Sequence, residues 1–458
     1  MAEVGPMNGR LVLLIWVVAV GLIFAARGAW RSPSDGVDFA SSSVVHATPI
    51  PVDDVDRVEI RRPGPSRDAA PIEIVFERGR QGWRQVEPFD VAADGFAVRR
   101  VVLAAADLSA TRRNQVTDLK DGGGLERVEL ADPDSNVTLS WPGGRTSIDL
   151  GARTVAGRAW IRIDGRDEVL VVNDALHEQA VEDDPRNWRS RRLFPGDAEI
   201  IEFRSANGES VTTLRRDGRR WLMTSPVETR ADSAAIDRMI AIIGRIEHDG
   251  FVTDAAERRA RYGLEDPAAI IDVVRDDGQV ERLLIGGPAG MVGRGRFAMI
   301  EGVPTVFRID EATLRGLLPA VASFIDSTGT GVDIADVRHL VIDTEAGRVR
   351  LDRDLDRWLL SIDDGPAVPA DRTRVEELLS ILSSTAATEL QIQAFPTRLQ
   401  VGTIVLHAFD GRPLDAIRIA RESADGRWAT ENGDGVLRLL PASTVMPLTP
   451  AAWSGTPR

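Results

Sequence analysis

Residues 217–243 read DGRRWLMTSPVETRADSAAIDRMIAII. The stretch opens on an Asp-Gly turn, passes a lone Trp221 and crosses Pro226. It ends in a segment whose apolar residues, Ile236, Met239, Ile240 and Ile243, keep the spacing of one helix face. Asp232 stands where an N-cap belongs. Its carboxylate can accept from the free amides of the first turn and faces the positive end of the helix. The local reading is a hairpin followed by a docked helix.

The same pattern occurs twice more. Trp83, Trp221 and Trp358 lie 138 and 137 residues apart. Seven residues before each stands an apolar residue, Phe76, Leu214 or Leu351, closing a strand-like run. A turn separates run from Trp in each copy: ERGRQG, RRDGRR and DRDLDR. An Asp follows each Trp, at 94, 232 and 371, and opens an apolar stripe. The stripes are Val98, Val101, Val102, Ala105 in the first copy and Val375, Leu378, Leu379, Leu382 in the third. A shared Leu comes next, read as Leu125, Leu264 and Leu399, and then four strand-like runs per copy. Gly151 and Gly286 close equivalent strands, with Ala420 in that place in the third copy. Each unit is large enough for its own core. We therefore expect an α+β fold: an N-terminal transmembrane helix followed by three tandem, mostly antiparallel α+β repeat domains at 53–195, 196–330 and 331–450.

Residues 11–26, LVLLIWVVAVGLIFAA, form an unbroken apolar run. At ~1.5 Å per residue it covers roughly 24 Å. A span from Leu11 to Trp30, with Arg27 snorkelling and Trp16 and Trp30 at the interfaces, approaches the about 30 Å of a bilayer core. The rival reading is a cleaved signal peptide, but small residues are poorly placed for cleavage. The expected organisation is a cytoplasmic tail (1–10), an anchor in a bacterial inner membrane (11–30), a Ser/Pro/Asp-rich linker (31–52), three extracytoplasmic repeats and a short tail (451–458).

A net charge of −14 argues against a general nucleic-acid binder, which needs a basic face for phosphate. With no Cys there is no disulfide, thiol nucleophile or Cys-based metal site. The W-x-x-x-x-P…AD segment of 221–243, YGLEDP at 262–267, LLIGG at 283–287 and TVFRID at 305–310 together resemble the family catalogued as domain of unknown function 4340. The likeness is strongest in the second copy; the first has GGLERV where the second has YGLEDP, and the third is the most divergent. The resemblance implies a membrane-anchored bacterial protein, similar in setting to auxiliary proteins of ABC-type exporters, including those of gliding motility. It brings no catalytic residues to transfer.

The chemistry sought in the sequence is mostly missing. Residues 352–363, DRDLDRWLLSID, begin like a calcium loop, but Arg357 replaces the required Gly and Asp363 the required Glu. The loop GGPAGMVGRGR, 286–296, lacks the Gly-Lys-Ser/Thr ending of a phosphate loop. His46, His177, His248, His339 and His407 are scattered without zinc spacing. The basic stretch PRNWRSRR, 185–192, could grip an acidic partner or phosphate, or could pair with VEDD at 181–184 as a linker. We expect no catalytic, cofactor or metal residues and no cofactor. The leading function is a non-catalytic extracytoplasmic subunit whose partners are other membrane proteins such as an ABC permease. The alternative is a cell-envelope or carbohydrate binder using the three Trp as platforms. A hydrolase with a cleft assembled only in three dimensions is a weaker third reading.

Overall fold

The computed structural model describes residues 43–46, 49–64, 69–122, 124–154, 156–182, 184–290, 295–421 and 426–454. The expected anchor at 11–30 lies outside them. Among the described residues no helix is long and apolar enough to cross a membrane.

Among the described residues there are three nine-stranded antiparallel sheets. A two-residue strand, β1 (Ser43–Val44), pairs with β6 (Ser109–Ala110). The first sheet holds β2 (Arg57–Arg62), β3 (Ile72–Gly79), β4 (Gly82–Glu87), β5 (Val91–Ala92), β7 (Arg112–Gln115), β8 (Ser135–Trp141), β9 (Gly144–Thr154), β10 (Arg158–Ile163) and β11 (Glu168–Asn173). Their spatial order is β5-β4-β3-β2-β8-β9-β10-β11-β7. The second holds β12 (Ile200–Asn207), β13 (Ser210–Asp217), β14 (Arg220–Ser225), β15 (Thr229–Arg230), β16 (Gly250–Thr253), β17 (Ala269–Arg275), β18 (Val280–Pro288), β19 (Arg296–Ile300) and β20 (Val306–Ile309). The third holds β21 (His339–Thr344), β22 (Gly347–Asp354), β23 (Arg357–Ile362), β24 (Val368–Pro369), β25 (Glu389–Ile392), β26 (Gln400–His407), β27 (Pro413–Arg421), β28 (Trp428–Glu431) and β29 (Val436–Leu439). The second and third sheets repeat the spatial order of the first, strand for strand.

Each repeat carries one principal helix: α1 (Gly95–Ala106), α2 (Ser233–Ile243) and α3 (Arg372–Ser384). The expected α+β balance is therefore not found. One helix of 11 to 13 residues stands against nine strands, and the repeats are mostly β. The strands missed in the sequence are the leading ones, such as RVEIRR at 57–62, and the short ones that flank each helix. Leading strands alternate charged and apolar side chains because one face meets the core and the other meets water. In the second sheet the helix carries the chain across, so β16 joins the edge opposite β15.

The expected helix stripes are the core. Val98, Val101, Val102 and Ala105 are buried, as are Ile236, Met239, Ile243 and the four residues of the α3 stripe. Trp221 packs among Phe203, Leu214 and Ile271, and Trp358 among Leu340, Leu351 and Ile404. Each large apolar side chain so buried contributes ~1.5–3 kcal/mol. The caps form as expected: Asp232 accepts from Ala235 N at 2.9 Å, and Asp371 from Thr373 N at 3.1 Å.

A smaller core lies against each sheet beneath the segment that follows the helix. Here the structure changes one correspondence. A Cβ on Gly286 would lie 2.2 Å from Tyr262 O and 3.0 Å from Leu264 Cδ2; one on Gly151 would lie 2.3 Å from Val128 O and 2.7 Å from Leu130 Cγ. Leu130, not Leu125, thus stands where Leu264 stands, and VELADP, not GGLERV, is the counterpart of YGLEDP. Glu129 has φ 58°, matching φ 67° at Gly263. A left-handed residue turns the covering segment in both copies.

By contacts the chain divides into two compact units, residues 1–73 with 99–183 and residues 74–98 with 184–458. The second and third repeats lie wholly in the latter. Trp453, in a short terminal helix (Pro450–Trp453), is buried in the third core.

Candidate functional site

The polar residues with the most elaborate surroundings lie where one repeat meets the next within the second unit. Two linkers are built alike. Pro185–Trp188 and Val321–Phe324 each form a 3-10 turn ending in a buried aromatic. The next residue bridges back: Arg189 to Ala93 and Ile325 to Ala231. Asp94 N donates to Trp188 O at 2.7 Å, and Asp232 N to Phe324 O at 2.8 Å. Each linker is thereby tied to the N-cap residue of the repeat it leaves.

At the first junction Arg189 is 6% exposed and grips Asp254 with two nitrogens, at 2.7 and 3.1 Å. It also donates to Thr305 Oγ1 at 3.1 Å and lies 4.5 Å from the ring centre of Phe89. The two-pronged geometry is one that guanidinium offers and ammonium does not. At the second junction Arg438 of β29 is fully buried. It donates to Asp434 at 2.7 Å, Thr229 at 3.1 Å and Asp326 O at 2.9 Å. Thr229 in turn donates to Asp434 at 2.5 Å. Burial raises the Asp434 carboxyl, but hydrogen bonds from Arg438 and Thr229 outweigh it and hold the group below the usual carboxylate range. Arg230 lies 3.3 Å from Asp326 and 3.6 Å from Asp415, and burial pushes its guanidinium down. Val436 of the third repeat is counted in the apolar core of the second. Both junctions are charged networks around an apolar contact.

His248 sits beside the first junction. Its imidazole is 5% exposed, stacked on Phe307 at 4.7 Å and met by the edge of Phe251 at 4.3 Å. Among the described residues neither ring nitrogen has a hydrogen-bond partner. Burial, and then the charge of Arg191, push its pKa down to about 4. The fold also brings together His339 and His407, opposite each other on β21 and β26, with rings 4.2 Å apart. Burial, and then His407, push His339 below the usual histidine range. Neither arrangement is visible as a local motif, since the neighbours are supplied by other strands.

The first unit contains an open cleft of about 590 Å³ lined by Glu126, Glu129, Asp132, Asp134, Arg153 and His177, among others. Its net negative lining favours cations. Arg153 is engaged by Asp174 at 2.5 Å, and that bond holds the Asp174 carboxyl below its usual range. His177 Nε2 bonds Gly151 O at 2.9 Å.

Of the basic stretch 185–192, Arg186 pairs with Asp184 at 2.7 Å, whereas Arg189 turns away to Asp254. Residues 352–363 form a hairpin in which Asp352 pairs with Arg350. The glycine loop joins β18 to β19. Trp221 and Trp358 are core residues, and the Trp221 Nε1 donates to Asp237 at 3.2 Å. Among the described residues no group of three or more His, Asp or Glu is arranged to hold a metal ion.

A profile described as "Domain of unknown function (DUF4340)" matches residues 83–222 and again 221–401. The chain belongs to the DUF4340 family. The first match begins at Trp83 and the second at Trp221, each on the second strand of its hairpin. A comparison with curated proteins gives no match. Among solved structures, a crystal structure of the DNA polymerase sliding clamp from Pseudomonas aeruginosa with ligand aligns over 87% of this chain and 93% of its own, at 11% identity and a TM-score of 0.14. A likeness that low carries no argument about fold or function.

Proposed function

We propose that the protein is a non-catalytic, membrane-anchored extracytoplasmic subunit, an auxiliary or scaffold component of an ABC-type export or gliding-type assembly. The observation that carries this reading is the pair of buried arginine–carboxylate junctions. Within the second unit they tie the linker after the first repeat to the second repeat, and the third repeat to the second, which a presenting scaffold needs and an isolated binding module does not. Several faces offered in fixed register let weak contacts add through effective concentration. The apolar run at 11–26 supports an anchor, and the family resemblance supports the transporter setting. The test is crosslinking in intact membranes followed by mass spectrometry. Stoichiometric recovery of a permease or ATPase is the expected result; a chain that migrates alone after crosslinking and gentle extraction would sink the idea.

A second reading, binding of a cell-envelope ligand, rests on the acidic cleft of the first repeat rather than on tryptophan platforms. Envelope pull-down that is lost in Asp132→Asn/Asp134→Asn would favour it. Pull-down unchanged by those substitutions would count against it.

A further inference from the structure

The stacked rings beside the first junction form a continuous column. Phe89 lies against Arg189, Arg189 is 6.0 Å from the ring centre of Phe251, Phe251 meets His248, and His248 stacks on Phe307. The backbone around His248 is the landing strip for the linker. His248 N donates to Arg191 O at 2.9 Å, Leu193 N donates to Ile246 O at 3.0 Å, and Arg192 bridges Glu247. One residue thus belongs to both: its ring lies in the aromatic column and its backbone amide in the strand pairing that seats the linker.

We propose that His248 is a proton-operated latch on the joint between the first repeat's hairpin–linker segment and the second repeat: on acidification its imidazole leaves the slot between Phe251 and Phe307, and residues 189–193 come away from residues 246–254. A neutral imidazole fits the slot as a flat, nearly apolar ring. A charged one has no acceptor there, since both nitrogens are buried without a hydrogen bond. The charged groups around it do not compensate. Arg191 on the linker repels a second cation. Asp249 is drawn to Arg308 at 3.7 Å, Asp254 is taken by Arg189, and Glu247 faces the linker through its bridge to Arg192. Histidine is the side chain whose ordinary pKa makes such a device work near physiological conditions. The direction follows from linkage. The folded-state value lies below the ordinary 6.5, so the latch is fully closed above that pH and is lost as pH falls toward about 4.

Hydrogen exchange of the full chain in detergent, corrected for intrinsic rates, tests this between pH 7.5 and pH 4.5. Protection of the 189–193 and 246–254 amides should fall about tenfold or more on acidification and return on neutralisation, while the α3 amides stay protected. His248→Phe, which keeps a flat ring, should hold its protection across the range. Arg191→Gln, which leaves the slot intact, should move the opening to lower pH, because without the neighbouring cation the closed slot tolerates a charged imidazole better. Opening that is unchanged in His248→Phe would assign it to carboxylates and overturn the proposal. So would wild-type protection that does not respond to pH. Should His248→Phe fail to fold, the direction of the Arg191→Gln shift decides alone.

Discussion

Gly286 and Gly151 are two of the positions at which a methyl group cannot be added. Each lies under a backbone carbonyl that would sit at 2.2 or 2.3 Å from a new Cβ. The third repeat carries Ala420 at the corresponding strand end, buried beside Phe395 and Leu399. Gly286→Ala should therefore destabilise the protein by about 2 kcal/mol or more, as overpacking of a closed site does. Ala420→Gly should cost no more than about 1 kcal/mol, the backbone entropy of one glycine. Urea denaturation of the two variants checks both, and equal small losses would refute the closed-site account. The glycines were legible in the sequence as a repeated position, but their reason was not. Leu125 fits the spacing from Trp83 better than Leu130 does, and only the approach of Leu130 to Gly151 identifies the residue that matters. A spacing argument fails when one copy carries extra residues in a loop. His248 was likewise visible only as one of five scattered histidines. The partners that make it singular are Phe251 and Phe307, on β16 and β20.

The helices were the most legible elements, because an apolar stripe and a capping Asp are both local signals. Their caps differ in quality. Asp232 accepts from Ala235 N at 2.9 Å, whereas Asp94 reaches Ala97 N at only 3.4 Å and relies on Phe96 N at 2.9 Å. Asp232→Ala should lower stability by about 1 kcal/mol, the usual value of a good cap, and Asp94→Ala by less. Thermal melts of the two variants would rank them, and the reverse order would overturn the geometric reading. Strands were less legible in proportion to their length. Two-residue strands such as β5, β15 and β24 owe their pairing to the neighbouring hairpin rather than to any pattern of their own. The basic linker was legible as charge but not as destination. Arg186 takes the acid expected from its own stretch, while Arg189 finds Asp254, 65 residues further on.

Tandem repeats need not behave as beads, and the second junction argues that the second and third do not. Val436 is fully buried in the core of the preceding repeat, and Arg438 is closed over by Asp434, Thr229 and a linker carbonyl. In a chain of nearest-neighbour units such an interface term couples unfolding. The outer end of the third repeat shows the contrast. Its short edge strand β24 has Pro369 where the second repeat has Arg230, and Pro cannot donate to an added strand. The same element thus serves as a socket in one repeat and as a terminus in the next, with one residue changing its role. The second and third repeats should therefore melt in one transition. Arg438→Met removes one member of a buried ion pair and leaves Asp434 with only Thr229 and the Val436 amide as donors, a change that costs about 3–5 kcal/mol where the remaining charge cannot reach water. That loss falls on the interface rather than on either core, since the α2 and α3 stripes are untouched. The variant should separate the single transition into two in calorimetry, with the double variant Arg438→Met/Asp434→Asn recovering part of the coupling. A wild-type chain that already melts in two steps here, or an Arg438→Met chain that keeps one, would mean that the junction is mere contact and that each repeat stands on its own core.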